Sequence, residues 1–303
     1  MSESLILFIE SNTSGTGRLF MRTALEKGYT PILLASDLSK YPYLEREGFT
    51  AHQIDTQDKK ALLTYCHQIS VIEKLSGITS SSEYFISTAA YLAHQLSLPG
   101  PKYKALEECR DKWKQRIKLN LNGINIPKFD ISTNVKESVN ISKKIGFPVV
   151  LKPIHGSGSI GVKLCKNEAE VVEHSSFLLS QTYNERRIPI EKKILIEEFI
   201  SGIEYSVETF NKSIVGITRK YIGRKPYFIE TGHDFPAIIP EKLKRDLYSL
   251  IFKTLECLDI CWGANHIEVS LSQEEFGPWS RNFSPCAATL LGTPPTWTPR
   301  SPT

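Results

Sequence analysis

A lysine stands immediately before a glycine-rich segment near the middle of this 303-residue sequence. Lys152 ends the strand-like segment Val149–Lys152, and the loop His155–Gly161 that follows contains three glycines. Glycines let the backbone curl so that several N–H groups face one anion, and the lysine adds a positive charge. This arrangement suits the phosphates of a nucleoside triphosphate, although no P-loop signature follows the glycines. The alternative interpretation is a β-hairpin with a flexible turn.

A second group of polar residues ends another apolar segment. Glu197 and Glu198 close the strand pattern, Phe199-Ile200 form an apolar hinge, and Glu204 comes shortly after it. Free backbone groups in a hinge can pair with an adenine edge, and a carboxylate beyond it can accept hydrogen bonds from ribose hydroxyls. The pattern therefore indicates a nucleoside site, with a hairpin bearing exposed acids as the alternative.

Two further constellations lie towards the C-terminus. His266 and Glu268 share one face of a predicted strand, where Glu268 could hold magnesium and His266 fits a structural role. Glu230 and His233 flank a predicted glycine turn after a strand, and they could bind the amine and carboxylate ends of a small zwitterion. Spacing alone does not separate that second interpretation from a plain polar loop.

The elements that would position these residues follow from the hydrophobic pattern. Residues 1–100 alternate short apolar strands with helices, which predicts a parallel sheet, and Pro99-Gly-Pro101 marks a boundary. Beyond it we expect one helix over Tyr103–Asn120 and a strand over Tyr227–Thr231. The tail, residues 277–303, shows neither a helical nor a strand period.

Composition excludes several classes of protein. There are 37 Lys and Arg residues against 33 Asp and Glu, and this net charge of +4 is too weak to imply nucleic acid or membrane partners. No apolar run approaches the roughly 18–20 residues of a membrane span, and the N-terminus lacks a secretory signal. Six cysteines in so long a chain fit free thiols in a reducing compartment, so we expect a cytoplasmic protein.

Taken in order, these motifs resemble the ATP-grasp superfamily of carboxylate–amine ligases, especially the L-amino-acid ligase branch. The resemblance covers residues 1 to 276. The strings that carry it are Cys109-Arg-Asp-Lys112, Gly123-Ile-Asn-Ile-Pro127, Pro148-Val-Val-Leu-Lys152, Glu197-Glu-Phe-Ile-Ser-Gly-Ile-Glu204, Glu230-Thr-Gly-His233 and His266-Ile-Glu268.

The resemblance implies an α/β ATP-grasp fold and an ATP- and Mg²⁺-dependent reaction. ATP phosphorylates a small carboxylate, an amine attacks the acyl phosphate, and an amide such as a dipeptide bond forms. The implied domains are a pre-ATP-grasp domain with a parallel sheet (1–100), a central part with the glycine-rich lid (101–196), a partial C-terminal lobe (197–276) and the atypical tail (277–303).

The resemblance also implies roles for single residues. Lys112 and Lys152 would contact the ATP phosphates, Glu204 the ribose, and Glu268 magnesium, while Lys152 would act in catalysis together with Glu230 and His233. The lid residues expected at the phosphates are His155, Gly156, Ser157, Gly158, Ser159 and Gly161. The residues expected around adenine are Glu197, Glu198, Phe199 and Ile200.

The tail departs from the family pattern. The family continues with a strand carrying a Glu-Ile-Asn-x-Arg-like motif, which supplies a second magnesium carboxylate, but residues 277–303 contain no acid. Suitable codons exist for which Arg281–Cys286, read one nucleotide later, would encode Glu-Ile-Ser-Ala-Arg. We therefore hypothesise a truncated or frame-shifted C-terminal lobe, with impaired turnover and self-association through an open sheet edge. The alternative is a nucleotide-binding remnant or regulatory module without ligase activity.

Overall fold

The computed structural model describes residues 4–13, 15–156, 158–184, 188–272 and 283–289, the last segment and Ser272 by their backbone. The described residues fall into two compact units, one within Met1–Glu107 with Ile260–Asn265, the other comprising Glu108–Asp259 and His266–Thr289. None of the helices in these residues has the length and apolar character needed to cross a membrane.

The first unit is built around a parallel sheet. Its elements are β1 (Ser4–Ile9), α1 (Thr16–Glu26), β2 (Tyr29–Ala35), a 3₁₀ turn (Leu38–Lys40), α2 (Tyr43–Glu47), β3 (Thr50–Gln53), α3 (Lys59–Ile72), β4 (Leu75–Thr79), α4 (Ile86–Gln95) and α5 (Tyr103–Arg110), which runs on into the second unit. The strand order is β3-β2-β1-β4, and every pairing is parallel.

The apolar strands of this sheet are covered on both faces. Leu5, Leu7 and Ile9 belong to one buried cluster, whereas Phe8 belongs to another with Met21 of α1. Alternate side chains of a strand point to opposite faces, so a sheet with two covered faces needs an almost continuous apolar run. The predicted parallel sheet is therefore confirmed, with Thr50–Gln53 as a fourth strand that the pattern did not reveal.

The second unit contains two sheets. Its elements are α6 (Lys112–Leu121), β5 (Phe129–Ser132), α7 (Val135–Ile145), β6 (Val149–Pro153), β7 (Lys163–Cys165), α8 (Glu168–Ser180), β8 (Ile194–Glu198), β9 (Gly202–Phe210), β10 (Ser213–Ile222), β11 (Glu230–Asp234), α9 (Glu241–Leu258), β12 (Ala264–Ser272) and β13 (Phe283–Thr289). The sheets have the orders β5-β8-β6-β7 and β11-β10-β9-β12-β13. The α/β fold class expected from the sequence is confirmed.

Alternation along β6 and β8 decides which side chains meet. Val149 and Leu151 of β6 pack in a buried cluster with Ile194 and Ile196 of β8 and Val171 of α8. The intervening residues of each strand must then face away from this cluster. That opposite face carries the functional side chains of both strands.

The loop between β10 and β11 is tied by main-chain bonds to the first of these sheets. The Leu164 amide of β7 donates to the Pro226 carbonyl over 2.8 Å, and Lys163 forms a β-bridge with Tyr227. The β10–β11 loop therefore runs beside the strand that follows the glycine-rich segment.

The single helix predicted over Tyr103–Asn120 is wrong. The chain forms α5 and α6, separated at Asp111, whose side chain accepts hydrogen bonds from the Trp113 and Lys114 amides over 3.0 and 3.1 Å. An aspartate that caps backbone N–H groups stabilises a helix start, so α6 begins afresh at Lys112. The continuous charged pattern concealed this break.

One strand prediction also needs correction. The strand expected at Tyr227–Thr231 lies at Glu230–Asp234 instead, because these residues pair with Arg219–Ile222 of β10. A further strand, β13, lies in the tail, where the sequence shows no strand period, and it pairs antiparallel with β12. The open edge of a strand can pair with any extended backbone, whatever its side-chain pattern, and an edge position tolerates Pro285.

Candidate nucleotide and substrate site

Lys152 and Glu197 form a buried ion pair on the outward face of β6 and β8. Lys152 pairs with Leu195 and Val150 pairs with Glu197, so the lysine and the glutamate are diagonal neighbours on one face. The Lys152 ammonium contacts the Glu197 carboxylate directly. A second cation, Arg116 of α6, donates its Nε–H to Glu197 Oε1 over 2.6 Å, and its side chain is fully buried.

This environment keeps Glu197 ionised. Burial alone opposes the charged form, but the charges and hydrogen bonds of Arg116 and Lys152 outweigh it and lower the pKa of the carboxyl to about 2. Glu197 therefore holds Lys152 and Arg116 on either side of one carboxylate. The structure brings the predicted residues Lys152 and Glu197 together.

Lys112 reaches the glycine-rich segment from the start of α6. Its Nζ donates to the Gly156 carbonyl over 2.8 Å, and its backbone N–H donates to the Ile154 carbonyl over 2.9 Å. The Asp111 cap fixes the first turn of the helix and hence the origin of this side chain. Lys112 and Lys152 thus flank the same loop from a helix and from a strand.

The loop itself depends on left-handed backbone conformations. Gly156, Gly158 and Gly161 have φ values of +123°, +61° and +75°, and Ser159 has a φ of +57°. Residues other than glycine rarely adopt positive φ values, which explains why glycines occupy three of these positions. Ser157, also predicted here, lies outside the described residues.

Two histidines hold the ends of this loop. His155 Nδ1 lies 3.1 Å from the Arg110 carbonyl, and its Nε2 lies 3.6 Å from Glu191 Oε1. His174 of α8 is buried, and its Nε2 lies 2.9 Å from the Gly161 carbonyl. Burial lowers the pKa of His174, so the neutral ring can donate to that carbonyl.

The predicted adenine hinge is half-buried and bordered by aromatic rings. The Phe199 amide donates to the Pro148 carbonyl over 3.3 Å, and Glu198 Oε2 accepts from the Lys128 amide over 3.2 Å. Ile200 is half-buried beside them. These contacts fix the segment that leads from β8 into β9.

A half-buried cation lies against the aromatic rings at this hinge. The Phe199 and Phe228 rings meet edge-on with centroids 6.3 Å apart, and Lys225 Nζ lies 3.5 Å from the Phe228 centroid and 5.4 Å from that of Phe199. Burial lowers the pKa of Lys225, while the charge of Glu204 acts in the opposite direction. The hinge therefore carries a cation that the sequence did not single out.

Glu204 and Lys220 occupy opposed positions on β9 and β10. Burial raises the pKa of Glu204, and the neighbouring Glu268 carboxylate adds to this effect, whereas Lys220 opposes it. A carboxylate that is partly desolvated and close to other acids gains from a hydrogen-bond donor or a cation. Glu204 is therefore suited to accept hydrogen bonds from ribose hydroxyls, as predicted, and it is equally suited to a cationic ligand.

Lys220 is the centre of the second charged cluster. Its Nζ lies 2.5 Å from Glu230 Oε1 and also contacts Glu268 directly, and its side chain is only 4% exposed. Burial disfavours the ammonium, but Glu268 and Glu230 outweigh this and raise the pKa of Lys220. Burial likewise disfavours ionised Glu268, yet His266 and Lys220 lower the pKa of its carboxyl.

His266 and His233 extend the cluster at its two ends. His266 Nδ1 lies 2.8 Å from Glu208 Oε1 and its Nε2 lies 3.4 Å from Glu268 Oε1. Burial would lower the pKa of His266, but its two carboxylate partners raise it to about 9. At the other end, His233 Nε2 lies 2.8 Å from Glu230 Oε2, and both side chains are substantially exposed. These two residues belong to strand β11 itself, not to a turn after a strand.

The carboxylates of this cluster are the side chains that could hold magnesium. Within the described part of the chain, no group of three or more His, Cys, Asp or Glu side chains is arranged to hold a metal ion. Glu268 offers one carboxylate, which is compensated by Lys220 and His266. A single protein carboxylate is within the usual range for magnesium held by a nucleotide. The expected second carboxylate falls in the tail, where side chains lie outside the described residues.

Besides Lys225, three charged residues of the site were not recognised in the sequence. Arg116 follows Lys112 by four positions, a spacing that places both on one helix face, and this signal was available. Lys220 lies opposite Glu204 only through the β9–β10 register, and Glu208 reaches His266 from a neighbouring strand. Neither of these two contacts has a local sequence signal.

Comparison with known proteins gives the family. Residues 145–281 match the ATP-grasp domain. An alanine–anticapsin ligase of Bacillus subtilis is 28% identical over 241 residues, which make up 74% of this chain and 51% of that protein. Uncharacterized protein y4rH of Sinorhizobium fredii is 31% identical over 278 residues, or 92% of this chain and 57% of that protein. The chain thus spans little more than half the length of these relatives.

Solved structures agree on the fold. The L-amino acid ligase from Bacillus licheniformis has a TM-score of 0.74 at 20% identity, covering 96% of this chain and 67% of that one. The D-alanine–D-alanine ligase from Bacillus anthracis has a TM-score of 0.65 at 15% identity, covering 96% and 87%. The chain is a member of the ATP-grasp superfamily and a distant homologue of its L-amino acid ligases.

Proposed function

We propose that the chain binds ATP in its second unit and, as a carboxylate–amine ligase, uses it to activate a small carboxylate. The observation that carries this proposal is the position of Lys112 and Lys152 on either side of one glycine-rich loop. Two cations beside a backbone that can turn several N–H groups inward suit a triphosphate chain. The hinge at Phe199-Ile200 and the Glu204 carboxylate would receive adenine and ribose.

Glu268 is the proposed magnesium ligand. A bound Mg²⁺ would neutralise charge on the transferring phosphoryl group. Lys220 and His266 already surround this carboxylate, so they would share it with the cation or turn towards the phosphates. The Lys220 ammonium can in either case stabilise negative charge at the reacting end of the site.

The substrate end is acidic and therefore favours an amine. Four carboxylates, Glu204, Glu208, Glu230 and Glu268, lie around two cationic side chains, Lys220 and His266. A substrate ammonium would find Glu230 partly exposed, next to the His233 ring. His233 can accept the proton that this ammonium must lose before it attacks, while Glu230 stabilises the imidazolium. The neutral amine then attacks the acyl phosphate, the C–O bond to phosphate breaks, and the second amine proton leaves with the phosphate.

The deciding experiment measures ATP binding by calorimetry with Mg²⁺ and then phosphate release in a screen of amino-acid pairs. We expect saturable ATP binding and phosphate release that requires both amino acids. Glu268→Gln should reduce the Mg²⁺-dependent part, whereas the exposed Glu256→Gln serves as the matched control. No ATP binding by the wild-type chain would exclude the proposal.

The second candidate is an ATP-binding protein that does not ligate. It is favoured by the absence of any acid in residues 277–303, where the family carries another magnesium carboxylate. It predicts ATP binding with no stimulation of phosphate release by any amino-acid pair. Sequencing the coding DNA tests the frame-shift explanation, because a shifted frame must encode the missing motif. A frame-restored version should then gain turnover.

A further inference from the structure

The buried guanidinium of Arg116 pairs with Glu197, but the proposed function gives it no part in ATP binding. It lies on α6 one turn beyond Lys112, on the face directed at β8, and its Nε–H donates to Glu197 Oε1 over 2.6 Å. Its Nη1 donates to Gln115 Oε1 over 2.7 Å, and Gln115 is itself buried. The guanidinium is therefore held from two sides, in contrast to the more flexible lysine across the carboxylate.

The opposite oxygen of Glu197 belongs to Lys152. While Lys152 remains paired with Glu197, the carboxylate compensates its charge and the lysine attracts a phosphate less strongly. Full use of this charge by ATP therefore requires a weaker Lys152–Glu197 pair. A carboxylate left alone in a buried position is strongly unfavourable, and it would hold the lysine back.

We propose that Arg116 is a positioning residue that keeps Glu197 neutralised while Lys152 moves from Glu197 to the phosphates of the nucleotide. Arg116 does not touch the nucleotide in this role. It lowers the free energy required to release Lys152, and its effect depends on the presence of phosphate. The inference rests on the proposed function, since it assumes that Lys152 contacts ATP.

Arg116 and Lys152 contact different oxygens of Glu197, which supports separate roles for the two cations. Arg116 uses Oε1 and Lys152 uses Oε2, so one contact can break while the other persists. Arg116 and Lys152 together hold the pKa of Glu197 far below its usual range. With Arg116 in place, a loosened Lys152 leaves an ion pair behind and not an isolated charge.

The test compares ATP with adenosine, which has no phosphate, in titrations followed by ligand-observed NMR. Arg116→Met should weaken ATP binding by about 10- to 100-fold, the range found when a group that orients a ligand's partner is removed. Adenosine binding should change by less than about twofold, because Lys152 does not contact it. The conservative Arg116→Lys should recover most of the ATP affinity.

The double variant Arg116→Met/Glu197→Gln distinguishes this role from a structural one. It removes the buried anion together with its counter-ion, so Lys152 is no longer held back and ATP affinity should return towards that of the wild-type chain. Equal losses for ATP and adenosine, or no recovery in the double variant, would overturn the inference while leaving the proposed function intact. A wild-type chain that does not bind ATP would remove both. Thermal unfolding of each variant confirms that it is folded.

Discussion

The two charged clusters of the second unit have opposite charge balances: cations are in excess in one, and carboxylates are in excess in the other. In the first, one carboxylate, Glu197, lies between two cations, Arg116 and Lys152. In the second, two cationic side chains, Lys220 and His266, lie among four carboxylates, Glu204, Glu208, Glu230 and Glu268. The surplus charge in each case indicates the ligand that the cluster can accept. An excess of cations suits phosphates, and an excess of carboxylates suits a metal ion or an amine.

The comparison also separates positioning from contact. Glu197 is almost completely buried, so we expect it to act on a ligand indirectly, through Lys152. Glu230 is 40% exposed and His233 is 44% exposed, so these side chains can meet a substrate directly. The family pattern places Glu197, Glu230 and His233 alike in the site. Their burial favours an indirect role for Glu197 and direct substrate contact for Glu230 and His233.

The largest expected effect is at the cation-rich cluster. Lys152→Met should lower ATP-dependent phosphate release by about 100- to 1000-fold, as for loss of one donor to a developing charge. Lys143→Met, an exposed lysine paired with Glu168, is the matched control and should change the rate less than about twofold. Similar losses in both variants would show that the effect is not specific to this cluster.

Removal of the shared cation tests the acid-rich cluster. Lys220→Met leaves Glu230 and Glu268 facing each other and should reduce the free energy of unfolding by about 2–3 kcal/mol. This is less than for a fully buried pair, because Glu230 is partly exposed. Urea unfolding measures the change, and Mg²⁺ should recover part of it if Glu268 binds the ion. Lys212→Met, an exposed lysine paired with Glu256, should be neutral.

Acid should affect the first cluster through Glu197. The folded-state pKa of about 2 lies below the unfolded value, so this group contributes stability that is fully present above about pH 4.5. That stability is lost as the pH falls towards 2, by about 2 kcal/mol at pH 3. Urea unfolding at pH 3 and pH 6 should therefore show a weaker pH dependence for Arg116→Met/Glu197→Gln than for the wild-type chain. An equal reduction by the exposed Glu168→Gln would contradict the assignment.

The smallest expected effect on stability concerns the N-terminal cap of α6, the helix that carries Lys112. Asp111→Ala removes the cap of α6 and should lower stability by about 1 kcal/mol. Asp58 caps α3 in the same way, through the Lys60 and Ala61 amides, so Asp58→Ala should cost a similar amount. Only Asp111→Ala should also weaken ATP binding, because Lys112 follows that cap. Equal ATP affinity in both variants would argue against Lys112 as a phosphate ligand.

The sequence was most informative where a residue's surroundings are set by its own segment. The run Leu5–Ile9 predicts a buried strand because both of its faces are apolar, and the glycine spacing predicts left-handed turns at Gly156 and Gly161. It was least informative where contacts depend on strand register. Lys220 meets Glu230 and Glu268 only because β10 lies beside β9 and β11 in one particular alignment.

Helix boundaries and edge strands were missed for different reasons. Asp111 interrupts a charged helical pattern without changing its composition, so only the hydrogen bonds of its side chain reveal the break. The strand β13 forms by backbone pairing with β12, to which a side-chain pattern contributes little. In both places the structure depends on hydrogen bonds of main-chain amides, which have a side-chain partner at Asp111 and a backbone partner at β13.

The main-chain bond from Leu164 to Pro226 has a consequence for how ligands enter and leave. It ties β7, the strand that follows the glycine-rich loop, to the loop between β10 and β11, so a ligand arriving on that side cannot separate these two segments without breaking it. We therefore expect nucleotide to enter and leave by rearrangement of the glycine-rich loop. Hydrogen exchange at the Leu164 amide should therefore remain slow while nucleotide binds and leaves. The amides of the glycine-rich loop should exchange faster, because the loop must rearrange each time.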